Sequence, residues 1–167
     1  MIIILKNKSI TELSTLIADE ENPVPAGGST AAATGLLGVS LLQLIISVSN
    51  NRLSNYNSEL AEIKTDLLQQ IDQDKEAYQI NHDHNFNNQE ELKELIAIPL
   101  AIAQNSAQAL KIAKSITGQV KNTVRADYQV AQLNLESSIE GALAIVEANY
   151  QFFSKDSVNL KKIKNQV

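Results

Sequence analysis

The sequence contains no cysteine and no tryptophan, and only 4% of its 167 residues are aromatic. Without cysteine, the protein can have no disulfide framework, no thiolate metal site and no thiol nucleophile. This absence fits a reducing compartment. The first residues, MIIILKNKS, place an apolar run before the first lysines, which reverses the order found in a secretory signal. We therefore predict a cytoplasmic protein.

Basic side chains are outnumbered by acidic ones. The chain has 14 lysines and arginines against 19 aspartates and glutamates, which gives a formal net charge of -5. Proteins that bind nucleic acids usually present a basic face and aromatic platforms on which bases stack. The composition therefore argues against a nucleic-acid partner.

One long stretch has no charged side chain at all. It lies between Glu21 and Arg52, and residues 31–48 read AAATGLLGVSLLQLIISV. The length would suit a membrane span of about 20 residues, but Ser, Thr and Gln interrupt the run and no basic flank sets an orientation. Gly35 and Gly38 equally allow close helix packing in a soluble bundle. We predict a central helix buried on nearly all sides, and no membrane span.

Apolar periodicity predicts helices along most of the chain. Ser9 and Glu12 match a capping box, so a short helix is expected to run from Ser9 toward Ala18. The following segment, ENPVPAGGS at residues 21–29, contains two prolines and two glycines, which preclude regular structure until the central helix begins at Ser29 or Thr30.

Further helices are expected at about 58–81, 90–117 and 123–153. Pro99 should kink or divide the second of these, and Gly118 is a plausible C-cap. Period-two alternation is absent except for a weak trace at the very start. The predicted fold class is all-α, with a single domain at residues 1–167 folded as a bundle of five or six helices around the central apolar helix.

Polar residues interrupt the apolar stripes of two predicted helices. Asp74 interrupts the stripe of the helix at 58–81, and Asp127 and Asn149 interrupt that of the last helix. An unpaired buried carboxylate is unstable unless its pKa rises or a partner is found. Each residue could have a structural role, such as capping a helix or pairing with Arg125 or Arg52. If the three converge, acid/base and hydrogen-bonding groups would share a dry cavity.

Two other motifs bear on function. The loop HDH at residues 82–84 has two histidines but no third and fourth ligand, so a solvated loop is favoured over a metal site. In AGGS, Gly27 and Gly28 let a ligand approach the backbone at a helix N-terminus, where an anionic or electron-rich group is favoured. An ordinary N-cap at Ser29 explains that segment equally well.

Four segments, taken in order, resemble one family. PVPAGGSTAAATGLLGVSLLQLI is similar to the P-x-P-G-G-G-S-x-A-A pattern and Gly/Ala-rich helix of formimidoyltetrahydrofolate cyclodeaminases and methenyltetrahydrofolate cyclohydrolases. QIDQDKEAY, which carries Asp72, Asp74 and Tyr78, resembles their I-D-x-D-x-x-A-F/Y stretch. IPLAIAQNSAQAL resembles V-P-L-x-V-A, and ADYQVAQLNLESSIEGALAIVEANY resembles a block S-D-x-x-V-A followed by G-A and a closing Asn. The resemblance extends from Thr11 to Phe153.

The resemblance implies an enzyme whose substrate is a tetrahydrofolate derivative with one carbon bridging, or about to bridge, N5 and N10. It would be either a cyclodeaminase, which is a lyase that releases ammonia, or a cyclohydrolase, and neither needs a cofactor or a metal. Asp127 and Asp74 are the expected catalytic residues, because a buried carboxylate stabilises an N-C-N cation and transfers protons. The expected substrate-binding residues are Gly27, Gly28, Ser29, Asn149 and Tyr78, with Arg125 and Lys121, beside Arg52, as candidates for the glutamate tail.

The sequence also departs from the family pattern. Ala26 replaces a glycine, Ala126 replaces the serine before the aspartate, and Ile145 stands where another Asn is common. The alternative is therefore a catalytically degenerate folate-binding module or a helical dimerisation module. A homodimer is expected in either case, because the uncharged helix with Gly35 and Gly38 allows a helix of a second copy to pack closely against it.

Overall fold

The computed structural model describes residues 4–22, 24–49, 51–153 and 167, without the side chains of residues 51–53. Five α-helices make up most of this part of the chain: α1 (Ile10–Ile17), α2 (Gly27–Ser49), α3 (Asn57–Asp83), α4 (Gln89–Ser115) and α5 (Arg125–Asn149). Short 3-10 turns lie at Leu5–Asn7, Asn51–Tyr56, Thr117–Gln119, Asn122–Val124 and Tyr150–Phe152. The described residues include no strand, and the prediction of an all-α bundle of five or six helices is confirmed.

Helices α2 to α5 form an antiparallel four-helix bundle. Each helix packs against the next one in the chain, and α5 closes the ring against α2. The start of α2 meets the end of α3 through Ser29 and Asp74, and the start of α4 meets the end of α5 through Leu95 and Asn149. We call the end that holds these contacts the upper end of the bundle, and the opposite end the lower end.

Helix α2 contributes most to the core because small residues let its neighbours approach. A Cβ added at Gly35 would lie 2.7 Å from the hydroxyl oxygens of Ser106 and Ser138, and one at Gly38 would lie 2.9 Å from Cγ of Leu135. Fully buried side chains of α2 include those of Val39, Leu42, Ile45 and Ile46. Although α2 and α4 are each long and apolar enough to cross a membrane, both pack several large apolar side chains into this core.

The expectation that α2 is buried on nearly all sides is wrong for one stripe. Leu37 and Leu44 are 55% and 50% exposed. They lie seven residues apart, which is two helical turns, and therefore share one outer face of α2. The helix is thus central to the core without being surrounded by it.

Helix α1 lies on the outside of the bundle. Its capping box is present: the Ser9 hydroxyl accepts from the Glu12 N–H, and the Glu12 carboxylate accepts from the Ser9 N–H. These hydrogen bonds from Ser9 are the main reason that the pKa of Glu12 is lowered to about 2. Leu5, before the helix, is fully buried and donates its backbone N–H to the Asp72 carboxylate on α3.

Two details of the predicted helix ends need correction. Of the kink or division expected at Pro99, division is wrong, because α4 continues through Pro99 as a single helix. Gly118 is not the C-cap, because α4 ends at Ser115 with Ile116 as its C-cap and Gly118 lies in a 3-10 turn without a positive φ. A Cβ added at Gly118 would have no atom within 4 Å, so packing does not require a glycine at this position.

Candidate functional site

A cavity of about 220 Å³ lies at the upper end of the bundle, where the starts of α2 and α4 meet the ends of α3 and α5. Four helix ends therefore contribute its walls. The lining residues are Val24, Ala26, Gly27, Gly28, Asp74, Ala77, Tyr78, Glu94, Leu95, Ile98, Pro99, Ile145 and Asn149.

Asp74 is the polar centre of this cavity. Its carboxyl group is partly buried, and its Oδ2 lies 3.1 Å from the hydroxyl of Ser29, which is fully buried. Burial raises the pKa of Asp74 above its usual value, while hydrogen bonds from the Ser29 side chain and backbone oppose that rise.

The geometry around Ser29 suits a protonated Asp74. The Ser29 hydroxyl lies 2.9 Å from the Ile71 carbonyl oxygen, to which it can only donate. A hydroxyl has one proton, so a Ser29 that donates to Ile71 still offers its oxygen as an acceptor to a neutral Asp74. The site can thus hold Asp74 in either protonation state by rotating a single hydroxyl group.

Gly28 makes the position of Asp74 possible. A Cβ at Gly28 would overlap the Asp74 carboxyl group, so any larger residue would displace it. The carboxyl group therefore lies directly over the first turn of α2, where unpaired N–H groups favour negative charge. Gly27 is also closely packed, although less tightly, with a Cβ position 2.8 Å from Cδ1 of Ile145.

Asn149 completes the cavity from α5. Its Nδ2 donates to the Leu95 carbonyl oxygen at 2.8 Å, which turns the amide nitrogen toward α4. The Asn149 Oδ1 is then the atom of the amide available to a ligand.

The charged side chains among the described residues that line the cavity are acidic. Asp74 and Glu94 are its ionisable carboxyl groups, and none of the described lining residues is a lysine, arginine or histidine. Together with Asn149 Oδ1, the polar lining consists mainly of acceptors. The arrangement favours a cationic ligand or one rich in hydrogen-bond donors, and it disfavours an anion.

Glu94 was missed by the sequence reasoning. It lies on the exposed side of α4, where a glutamate is common, and four residues before the family-like segment that begins at Ile98, so the sequence contained no signal for it. Ile98 and Val24, which were also missed, supply apolar walls.

An aromatic cluster holds Tyr78 at the rim of the cavity. The Phe86 ring lies 5.8 Å from the Tyr78 ring, edge to face, and stacks on Phe152 at 4.3 Å. Asn85 and Phe86 adopt left-handed backbone conformations with φ of 53° and 56°, which bulky residues rarely adopt. The turn after α3 thus accepts backbone strain while directing Phe86 onto Tyr78 and Phe152.

Asp72 does not belong to the cavity, although it shares a motif with Asp74. Two residues apart on a helix, their side chains point to nearly opposite sides. Asp72 is 8% exposed, accepts from the Leu5 N–H and lies 3.9 Å from the Lys6 ammonium. Its role is to fasten the segment before α1 to α3.

Asp127 does not lie with Asp74, and the expectation that the two share a cavity within one chain is wrong. Asp127 is exposed in the first turn of α5, at the lower end. Asn149 is 22 residues further along the same helix, which at 1.5 Å per residue separates them by about 33 Å.

The cations expected to hold the glutamate tail are also at the lower end. Arg125 donates to the Thr117 carbonyl oxygen at 3.2 Å, and the Lys121 backbone N–H donates to Ser49 at 3.2 Å. The side chain of Arg52 lies outside the described residues. Within one chain, these residues cannot contact a ligand held at Asp74.

The histidines at 82–84 do not form a metal site in the described part of the chain, where no group of three or more His, Cys, Asp or Glu side chains is placed to bind an ion. His84 is exposed, and its Nδ1 lies 2.8 Å from the Glu91 carboxylate. That hydrogen bond and the charge of Glu91 raise the pKa of His84.

A wider groove of about 750 Å³ runs between the start of α3 and the end of α4. Its carboxylate Glu59 accepts from Gln108 at 2.8 Å, and both side chains are on the surface. The described polar residues that line this groove are half-buried or exposed. The smaller cavity, where burial raises the pKa of Asp74, is therefore the better candidate site.

Comparison with known proteins agrees with this architecture. No curated protein matches the sequence. The crystal structure of a formiminotetrahydrofolate cyclodeaminase from Thermotoga maritima is similar to this chain with a TM-score of 0.83, at 15% sequence identity, over 97% of this chain and 87% of that one. At this identity the likeness shows a shared fold. The sequence profile described as formiminotransferase-cyclodeaminase matches residues 9–167, and the chain therefore belongs to that family.

Proposed function

We propose that this protein is a folate one-carbon enzyme that acts on the N5/N10 bridge of tetrahydrofolate, with Asp74 as its acid/base residue. The observation that carries the proposal is a partly buried carboxyl group with a raised pKa, in a cavity without a cationic side chain among its described lining residues. A site of this kind matches a substrate that develops an N-C-N cation during the reaction.

The first candidate activity is that of a formimidoyltetrahydrofolate cyclodeaminase, a lyase. N10 attacks the formimino carbon, and the N10 proton passes to the imino nitrogen. A proton from neutral Asp74 then converts the resulting amino group into departing ammonia, and the methenyl cation forms beside the ionised carboxylate. The raised pKa supports this assignment because it keeps a proton on Asp74 at higher pH than usual.

The methenyltetrahydrofolate cyclohydrolase reaction would use the same groups in another order. Ionised Asp74 would stabilise the methenyl cation and take a proton from the water that adds to its carbon. Measuring both reactions decides between them. Neither reaction requires a cofactor or metal.

The cavity would hold only part of the substrate. Its volume of about 220 Å³ is below the 300–1,000 Å³ typical of sites that enclose a drug-sized ligand. We assign the one-carbon unit and adjoining pterin to Gly27, Gly28, Ser29, Tyr78 and Asn149, with the remainder of the folate outside. The protein would act in the cytoplasm.

We further propose a homodimer through the outer face of α2 and α5. A two-fold axis perpendicular to the helices would bring the lower end of one copy beside the upper end of the other. Asp127, Arg125 and Lys121 of one copy would then adjoin the cavity of the other, where they could serve as the second carboxylate and the cations for the glutamate tail.

The test of the proposed function is a pair of assays on the purified protein. One follows the loss of methenyltetrahydrofolate absorbance, and the other follows ammonia release from the formimino form. We expect turnover of at least one substrate and a loss of about 100-fold or more in kcat for Asp74→Asn, in line with the usual contribution of general acid/base catalysis. Wild-type protein that turns over neither would refute the enzymatic proposal.

A non-catalytic folate-binding or dimerisation module is the second candidate. Ala26 and Ile145, two of the departures from the family pattern, both line the cavity and make its wall less polar. Calorimetric titration with folate distinguishes the cases. Binding without turnover favours a degenerate member, whereas neither binding nor turnover leaves only an assembly role.

A further inference from the structure

Pro99 interrupts the hydrogen bonding of α4 beside the cavity. In an α-helix the N–H of residue 99 would donate to the carbonyl of residue 95, but proline has no N–H and its ring pushes that carbonyl away. Pro99 is nevertheless buried within a continuous helix. Its presence therefore leaves the Leu95 carbonyl oxygen without its helical donor.

Asn149 supplies the missing donor from α5. Its Nδ2 lies 2.8 Å from that same Leu95 oxygen, and Pro99, Leu95 and Asn149 all line the cavity. The contact is specific for the nitrogen end of the amide, because a carbonyl can only accept. The free oxygen end of Asn149 then adds to an acceptor-rich lining that already contains Asp74 and Glu94.

We propose that Pro99 is a positioning residue that fixes which end of the Asn149 amide a ligand meets. By leaving the Leu95 carbonyl unpaired, Pro99 holds the Asn149 nitrogen against α4 and turns its Oδ1 to the substrate. The Asn149 Oδ1 thereby accepts a hydrogen bond from a donor on the pterin or on the one-carbon unit. This ligand role rests on the proposed function, whereas the amide orientation does not.

The orientation is tested by a double-mutant cycle in urea unfolding, using Pro99→Ala, Asn149→Ala and the double variant. With Pro99 present, Asn149→Ala leaves a buried carbonyl unsatisfied and should lower the folded-to-unfolded ratio about tenfold. In the Pro99→Ala background, the restored N–H of residue 99 donates to the Leu95 carbonyl oxygen. Asn149→Ala should then lower the folded-to-unfolded ratio much less. Equal losses in both backgrounds would overturn the proposal.

Asn105 provides a matched control on the same helix. Its amide donates to Gln70 at 3.3 Å, and it lies ten residues from Leu95, about 15 Å along the axis. Pro99→Ala and Asn105→Ala should therefore have additive effects on stability.

The ligand role is tested by steady-state kinetics of the same variants. Pro99→Ala should raise KM about tenfold and leave kcat within about twofold, since Asp74 is untouched. Adding Asn149→Ala should then raise KM little further. Independent, multiplying effects on KM would show that Pro99 only shapes the wall and would overturn its positioning role. A wild type that neither binds nor converts folate would refute the proposed function, while the unfolding cycle would still decide the orientation of Asn149.

Discussion

Asp74 is subject to two opposing influences. Its place at the start of α2 and its hydrogen bonds from Ser29 favour the ionised form, whereas burial favours the neutral form. Burial is the larger influence, so the pKa is raised. A carboxyl group held in this balance can give up and regain a proton within one reaction cycle, which an ordinary surface aspartate does less readily.

The raised pKa of Asp74 predicts how stability depends on pH. As pH increases above the ordinary value of 3.8, the unfolded chain loses this proton before the native protein does, so the free energy of unfolding should fall until native Asp74 ionises as well. Asp74→Asn should lack this fall and gain stability relative to wild type across that window. Urea unfolding at a series of pH values measures it, and parallel profiles for the two proteins would contradict the prediction.

Gly28 and Gly141 offer a matched pair of substitutions. Gly28→Ala places a methyl group into the Asp74 carboxyl group and should destabilise the protein by about 1–3 kcal/mol while reducing activity. Gly141→Ala meets Ala31 at 3.6 Å, an ordinary contact, and should be neutral or stabilising by up to about 1 kcal/mol through helix propensity. Thermal unfolding with activity assays compares them. A Gly28→Ala protein with wild-type activity would show that Asp74 need not lie against α2.

At the scale of elements, the apolar stripes predicted which side of each helix faces the core but not which end meets the site. Asp74 and Asn149 were placed correctly toward the interior, and they do line one cavity. Asp127 was expected on the apolar stripe of α5, yet it is exposed, because the residue of that turn that neighbouring helices cover is Tyr128, which is 3% exposed. Single-sequence periodicity contains no information about that coverage.

Sequence motifs predicted the structure best where the interacting residues are close together in the chain. Ser9 and Glu12 predicted a capping box that the structure contains. Pro99 predicted a disturbance of α4. It did not predict that Asn149 donates to the Leu95 carbonyl oxygen, because Asn149 lies 50 residues later in the chain than Pro99. Glu94 could not be identified from a pattern, since an exposed glutamate on a helix is common and only the fold brings it to Asp74.

A polar contact in the core ties three helices together and predicts unequal effects for two serines. Ser138 donates to the Ala31 carbonyl oxygen at 2.8 Å, so Ser106 must donate to the Ser138 oxygen, also at 2.8 Å. Both serines are fully buried. Ser138→Ala should therefore cost more than Ser106→Ala, by about 1 kcal/mol, because it leaves the Ser106 hydroxyl without that acceptor.

The double variant tests that interpretation. With both hydroxyls removed, no unpaired group remains, and the cost should be well below the sum of the two single effects. Urea unfolding of the four proteins measures the coupling. Additive losses would mean that Ser106 finds another acceptor when Ser138 is absent.

At the scale of the whole molecule, one outer face, formed by α2 and α5, exposes large apolar side chains. Leu37 and Leu44 of α2 and Val130 and Leu133 of α5 are 55%, 50%, 48% and 63% exposed. Glu140 of α5 lies seven residues after Leu133, which is two helical turns, so a carboxylate borders this face. Exposed apolar side chains on two paired helices suit a second copy of the same chain.

Disrupting this face should separate the copies. Leu37→Glu introduces a charge at its centre and should shift the protein from dimer to monomer in light scattering at micromolar concentration. Ile80→Glu is the control, because Ile80 is 47% exposed on α3, away from the face. A wild type that is already monomeric, or a Leu37→Glu protein that stays dimeric, would exclude this interface.

A dimer of this geometry makes a sharper prediction for the two aspartates. If each site combines Asp74 of one copy with Asp127 of the other, then Asp74→Asn and Asp127→Asn should each be inactive alone. Mixing the two variants under conditions that exchange subunits should restore activity, because half of the dimers would be mixed and one of their two sites would have both wild-type aspartates, giving about a quarter of the wild-type rate. Activity in the Asp127→Asn protein alone would show that Asp127 is not required. Inactive variants that fail to complement would show that the two residues do not act across a subunit boundary.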